Sequence, residues 1–271
     1  ANSALSTDVI HKLLTDESGI VWIATQSGLN AYQNGQWQLF SMEQGLPANE
    51  INTILVVGPQ VWVGTANGFG LLDYGATLAN SSDDHWLTYT NATLSVTNIS
   101  ALALDSNGYL WVGSYDLPDD AYYFDDNYAV GSALVLDWKQ TPFTLADDQL
   151  LNIDSWQIRA PRALAVQGST LWAATSEGLR HLSYANSPFD QSQWQWQDNA
   201  GGHGVGGNRV TAIAAFAGDR LALAVDGAPL ILSHGYTPHY LRDDTVVDLT
   251  SYSAGTLAAD SQQRLWLGVG E

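Results

Sequence analysis

Cysteine is absent from the 271 residues, which excludes a disulfide framework, a thiolate metal site and a cysteine nucleophile. Basic residues are scarce: 9 Lys plus Arg stand against 28 Asp plus Glu, a formal net charge of -19. A field of that sign repels nucleic acid and anionic membrane surfaces, so neither is expected as a partner, and it favours solubility. No apolar run approaches the ~20 residues of a membrane-spanning helix, so no direct membrane insertion of this segment is expected. The chain starts at Ala1 with neither an initiator Met nor a basic-then-apolar leader, which suits a processed exported protein or an excised part of a longer one.

Apolar and aromatic residues are abundant, at 45% hydrophobic with 11 Trp and 12 Tyr, too many for a disordered chain. They recur in register. Aligning on Trp22, Trp62, Trp111, Trp172 and Trp266, with Ala222 in a degenerate copy, gives steps of 40, 49, 61, 50 and 44 residues. Two places after each anchor stands Gly or Ala (Ala24, Gly64, Gly113, Ala174, Ala224, Gly268), and one place further Thr25, Thr65, Ser114, Thr175, Val225 and Val269. A period near 40 to 50 residues is that of propeller blades, each a four-stranded antiparallel sheet.

The Trp strand lacks a polar face because the second strand of a blade is covered on both sides by neighbouring blades. The small residue fits a place where the next blade's backbone approaches, and Trp fills the wedge between blades. Upstream of each Trp an apolar stretch such as "INTILVV" or "ISALALD" reads as the innermost strand, joined by turn chemistry as in "DESG" and "DSNG". Downstream, "GLNAYQNGQWQLF" is a third and fourth strand, with Asn34-Gly35 as a two-residue hairpin turn and alternation returning at the outer edge. Later outer strands are expected at 69–74 with 85–89, 121–125 with 133–138, 178–184 with 193–197, and 229–233 with 238–242. No helix is expected. The fold class is all-β: one propeller domain over 1–271, five full blades at 5–43, 50–90, 98–140, 158–197 and 209–243, and an incomplete sixth at 253–271.

Residues 16 to 51, "DESGIVWIATQSGLNAYQNGQWQLFSMEQGLPANEI", resemble the two-component regulator propeller repeat, including Gly45, Leu46, Pro47 and Asn49. The other copies keep the Trp core in weaker form. The resemblance implies a periplasmic or extracellular sensor module of a bacterial receptor, joined elsewhere to a membrane helix and an output such as a histidine kinase or diguanylate cyclase. The resemblance also implies a class of ligand, since in gut bacteria many such receptors detect oligosaccharides.

Catalytic signatures are missing: there is no Gly-x-Ser-x-Gly elbow and no Ser-x-x-Lys. The histidines at 11, 85, 181, 203, 234 and 239 lack zinc-ligand spacing, and His234 and His239 read as turn neighbours around "GYTP". "GGHGVGG" at 201–207 has phosphate-loop glycines but no Lys and no following helix, so it reads as a connection. The carboxylates of 115–127 do not match a calcium loop, and neither a metal nor a cofactor is expected. In a propeller the second-to-third-strand loops and the inter-blade connections open at one end of the channel. Here that end receives 115–120, the long 141–160 segment and 197–208. The candidate ligand-binding residues are therefore Tyr115, Asp119, Asp120, Trp156, Arg159 and His203, an aromatic, Arg and carboxylate set suited to a sugar or small charged solute. The competing reading packs Trp156 between blades and pairs Arg159 with a neighbouring acid.

The functional expectation is a non-catalytic, ligand-sensing domain, with a small molecule or oligosaccharide as ligand and no enzyme activity. Two alternatives stand: a protein-interaction platform, including a homodimer, or a propeller lyase or glycosidase with a convergent Tyr, His and Arg or a carboxylate pair. The sixth copy stops at "RLWLGVGE", where a third strand should begin, and "ANSALST" is too short to complete it. The expectation is a portion of a larger propeller, with an open or partner-completed blade at 254–271.

Overall fold

The computed structural model describes residues 5–75, 77–78, 80–90, 94, 96–116, 130–141, 143–153, 157–199, 205, 209–216, 218–235, 243–249, 255–260 and 262–268. Strands fall into successive antiparallel sheets in which chain order is sheet order. The first sheet comprises β1 (Ile10–Thr15), β2 (Val21–Thr25), β3 (Gly28–Gln33) and β4 (Gln36–Phe40), and the second β5 (Ile51–Val57), β6 (Gln60–Thr65), β7 (Gly68–Asp73) and β8 (His85–Tyr89). The third holds β9 (Ile99–Leu104), β10 (Leu110–Ser114), β11 (Ala133–Asp137) and β12 (Gln149–Ile153). The fourth holds β13 (Ala163–Gln167), β14 (Thr170–Thr175), β15 (Gly178–Ser183) and β16 (Gln195–Asn199). The fifth holds β17 (Val210–Phe216), β18 (Arg220–Val225), β19 (Ala228–Ser233) and β20 (Thr245–Asp248). Among the described residues the sixth contains β21 (Thr256–Ala259) and β22 (Leu265–Gly268). A 3-10 turn at Gln191–Gln193 lies between β15 and β16.

The chain divides into two compact units, residues 1–102 with 138–148, and residues 103–137 with 149–271. In the first, Trp22, Phe40, Ile51, Ile54, Val63 and Leu72 form the core between the first two sheets. In the second, Trp172, Ile213, Leu221, Leu223 and Leu232 do the same between the fourth and fifth. Burial on both faces gives the Trp strands their continuous apolar sequence: Trp22, Trp62, Trp111 and Trp172 are all 0% exposed.

Each position of the repeat has a physical role. At Gly64 an added Cβ would stand 2.6 Å from Ile99 Cγ2 and 2.6 Å from Thr53 Cγ2. The small residue therefore makes room for side chains of inner strands, not for backbone as the sequence suggested. The hydroxyl one place later ties the next turn. Thr25 Oγ1 donates to Gly28 O at 2.7 Å and accepts from Ser27 N at 3.1 Å, and Thr65 and Thr175 donate to Gly68 O and Gly178 O, each at 2.8 Å. Where Val225 replaces the hydroxyl, Asp226 and Gly227 at φ 49 and 81 make a self-supporting two-residue turn.

The third repeat differs from its expected boundaries. Residues 133–137 are its third strand, not its fourth, and the fourth is β12, inside the 141–160 segment expected to be a connection. The repeat thus extends to Ile153 instead of ending near 140, while 121–125 lie outside the described residues. Segment 138–148 joins third to fourth strand, at the opposite end from the inter-repeat connections. It packs on the second sheet: Trp138 meets Trp62 edge-on at 5.5 Å, Phe143 meets His85 at 5.6 Å, and Asp148 accepts from Tyr89 OH at 2.5 Å. In the fifth repeat the fourth strand is Thr245–Asp248, and the stretch 238–242 expected for it lies outside the described residues.

Lys12 on β1 donates to Thr53 Oγ1 at 3.2 Å, and burial lowers its ammonium to a pKa of about 8. An unfolded lysine titrates near ~10.4, so between those values the unfolded chain binds more protons and stability rises with pH. The penalty for the buried charge is fully present below pH ~8 and absent above ~10.4. Lys12→Met is expected to stabilise the protein by about 1–3 kcal/mol at pH 7, an advantage that shrinks through that window. Urea denaturation of both proteins across pH 7 to 10 checks this; a pH-independent difference would contradict it.

Candidate functional site

Strand order fixes where side chains can converge. At the end where second strands turn into third strands, the second unit gathers Tyr115, Arg159, Arg162, Glu177 and Arg180. Glu177 follows Thr175, whose Oγ1 accepts its backbone N–H at 3.2 Å, so the carboxylate is held at the turn. Its Oε1 lies 3.2 Å from Arg159 Nη1 and its Oε2 2.6 Å from Arg180 Nη2. Arg180, with a side chain 10% exposed, also donates from Nη1 to Gln157 O at 3.0 Å, tying the inter-repeat connection to β15. Arg162 donates from Nη2 to Tyr115 OH, and its guanidinium carbon stands 4.1 Å from that ring's centroid. Stacking and hydrogen bonding together fix the tyrosine's ring and hydroxyl.

Two of the six expected residues, Tyr115 and Arg159, thus lie at the predicted end, and Arg159 pairs with an acid as the competing reading held. Asp119, Asp120, Trp156 and His203 lie outside the described residues. Sequence reasoning missed Arg162, Glu177 and Arg180. The available signal was the crowding of three of the chain's seven arginines between 159 and 180. His234 adjoins the turn at Gly235 as expected, and its side chain is buried, 2.8 Å from Gln167 Oε1 through Nε2, with its ring 4.9 Å from Trp172. Among the described residues no cluster of His, Asp or Glu is arranged to hold a metal ion.

A groove lies in the first unit, at the end where its third strands turn into fourth strands. The Asn34-Gly35 turn, at φ 51 and 83, joins β3 to β4 and sets Gln33, Asn34, Gln36, Trp37 and Gln38 facing Thr77 and Leu78 across a groove of about 430 Å³. Trp37 is backed by Tyr32 at 4.8 Å. Gln33 is anchored by donating to Ser18 O at 3.0 Å. An adjoining hollow of about 470 Å³ shares Gln33 and Thr77 and extends towards Glu17 and Tyr74. Among the described residues the first groove is lined by four amides, one hydroxyl, an indole and a leucine, none of them charged, on a chain of net charge -19. In β8 the equivalent ring, Trp86, packs against Phe40 at 6.0 Å; in β4 the ring lines a groove. The sequence signal, "QNGQWQ", was read as a hairpin turn and an outer edge, not as a site.

The sequence of residues 93–116, spanning the start of the third repeat through its Trp strand, matches the family described as "Two component regulator propeller". The chain carries the two component regulator propeller repeat. Its fold is the β-propeller, built from four-stranded antiparallel blades. Among solved structures it is similar to the extracellular domain of the putative hybrid two component system BT3049 from B. thetaiotaomicron, with TM-score 0.66 and 16% identity over 99% of this chain and 33% of that one. It is also similar to the extracellular domain of the putative one component system BT4673 from B. thetaiotaomicron, with TM-score 0.63 and 15% identity over 98% and 32%. A third likeness is to PorZ, a bacterial surface component of the type-IX secretion system of Porphyromonas gingivalis, at TM-score 0.56 and 16% identity over 99% and 41%. The chain spans about a third of the length of the first two. At these identities the likeness is one of fold. No curated protein matches the chain. No helix among the described residues is long and apolar enough to cross a membrane.

Replacing Glu177 by Gln leaves two guanidinium groups facing an amide, one of them nearly buried. The expected cost is about 1–2 kcal/mol, larger than for an exposed ion pair because of Arg180. Guanidinium-free denaturation with urea at low and high salt measures it, and a Glu177→Gln protein as stable as the parent would assign the cluster no structural weight.

Proposed function

We propose that the chain is a non-catalytic, ligand-sensing extracytoplasmic portion of a bacterial signalling receptor of the two-component or diguanylate-cyclase type. Its ligand in this reading is a neutral oligosaccharide held in the Trp37 groove. The single observation that carries the ligand class is the lining of that groove: an indole beside four amide side chains and a hydroxyl. Sugar rings present C–H faces that stack on indole, and each hydroxyl both donates and accepts, as an amide does. Charged lining would favour an ionic solute, and the strong negative field of the chain opposes an anionic one. The repeat family and the extracellular two component system domains that resemble this chain support the receptor setting.

The groove is contributed by two consecutive repeats, through the β3–β4 turn and through Thr77 and Leu78. A ligand bridging them stabilises one arrangement of the pair over others, which is the thermodynamic content of sensing. Calorimetry against neutral oligosaccharides is expected to find binding without turnover. Trp37→Ala should weaken that binding about tenfold or more, the equivalent of ~1.4 kcal/mol or more from lost stacking. Conversion of the bound sugar, or affinity lost in Arg159→Ala while Trp37→Ala binds normally, would overturn the reading.

A further inference from the structure

The sequence holds three Asn–Gly pairs, at 34–35, 67–68 and 107–108. In such a pair glycine puts no side chain in the way when its backbone nitrogen turns back on the asparagine side chain. In a folded protein that attack requires a nitrogen released from hydrogen bonding and a backbone with room to rotate. Two of the pairs are held. Gly68 N donates to Thr97 O at 2.8 Å, and a Cβ added at Gly68 would run into Tyr89 O, so the backbone there is enclosed. Gly108 N donates to Asp105 O at 3.1 Å, inside a turn whose Asn107 and Tyr109 N–H groups both donate to Asp105 Oδ1 at 2.9 Å.

The first pair is open. Asn34 and Gly35 are the exposed central residues of the β3–β4 turn, and the ladder closes behind them at Gln33 and Gln36. Among the described residues neither the Asn34 side chain nor the Gly35 N–H has a hydrogen-bond partner, and no atom lies within 4 Å of a Cβ added at Gly35. The amide is thus free to rotate towards the nitrogen that follows it. Asn34 is also one of the four amides that line the Trp37 groove.

We propose that Asn34 is a spontaneous modification site, selected by the fold among the three Asn–Gly pairs, whose deamidation turns one amide of the Trp37 groove into a carboxylate. Gly35 N gives its proton to solvent base and attacks Asn34 Cγ. The N–Cγ bond forms, the Cγ–Nδ2 bond breaks, and Nδ2 takes a proton and leaves as ammonia. The succinimide ring then takes up one water at either carbonyl. Opening at one gives aspartate; opening at the other leaves the chain running through the side-chain carbonyl, as isoaspartate. Aspartate keeps the turn, since Asp-Gly suits the same positive φ values. Isoaspartate adds one carbon to the main chain between Gln33 and Gln36 and so disturbs the register that sets Trp37 opposite Tyr32. Resting on the reading of the groove as a sugar site, the modification regulates it, because a side chain that donates and accepts becomes one that only accepts and carries charge.

The test incubates the whole chain at mildly alkaline pH, once folded and once in urea, and follows each Asn–Gly pair by mass spectrometry of chymotryptic peptides. In the folded protein Asn34 should convert at least about tenfold faster than Asn67 and Asn107, because opening the hydrogen bonds of Gly68 and Gly108 adds to their barriers. In urea the three rates should converge, since the same residue follows each asparagine. Aspartate and isoaspartate should both accumulate at position 34, the mark of the ring intermediate. Equal rates in the folded protein, or faster conversion at Asn67 or Asn107, overturn the proposal. A preference for Asn34 that persists unchanged in urea does so too, by assigning the selection to local sequence, and aspartate alone as product overturns the route. No sugar enters the measurement, so its outcome is separate from success or failure of the groove as a sugar site.

Discussion

One carboxylate oxygen shared between an indole and a phenol joins the first repeat to the second and the third repeat to the fourth. Asp16 and Asp105 each satisfy the N–H groups of their own turn with one oxygen and spend the other on Trp and on a tyrosine from the next repeat. Local turn geometry and inter-repeat docking thus depend on the same side chain. Burial and the neighbouring carboxylate raise the pKa of Tyr74 and Tyr184 alike, so both phenols stay protonated and donate. The joint tolerates exchange of its parts where the geometry of donor and ring is kept. His234 and Gln167 stand in for tyrosine and aspartate beside Trp172, and at Trp62 the facing ring is Trp138.

Such joints lie between the sheets, and they leave the ends of the strands to carry chemistry. At one end the second unit uses Glu177 to tie Arg159 to Arg180, and Arg162 to clamp Tyr115. That construction braces a turn and a connection. At the other end of the first unit, the β3–β4 turn leaves amides and Trp37 lining an open groove. Rigid strands with adaptable polar tips are the arrangement expected of a recognition module.

Much of the fold was legible because the repeat expresses sterics. Trp22, Gly64 and Thr25 each have one role that few other residues fill, so the strand, its small neighbour and its hydroxyl could be read in register. The third repeat was misread because a long insertion displaced its outer strand. Burial patterns mark the difference: Ala133–Asp137 is buried almost throughout, as a third strand is, whereas Gln149–Ile153 alternates as an outer strand does. The role of Asp16 and Asp105 was hidden because an Asp in a turn needs no further explanation, and only coordinates reveal a phenol 58 or 79 residues away on the same oxygen. The groove at Trp37 was missed for a topological reason, since loop length directed attention to the end with the longer connections.

A double-mutant cycle on Asp105→Asn and Tyr184→Phe, followed by urea denaturation, tests most directly whether the shared carboxylate couples the repeats. Each single change removes the same interaction, so the double variant should be about 1–3 kcal/mol more stable than the sum of the separate losses implies. Losses that add within about 0.5 kcal/mol would mean that the two residues act independently, and would contradict the joint as the element on which the structure depends.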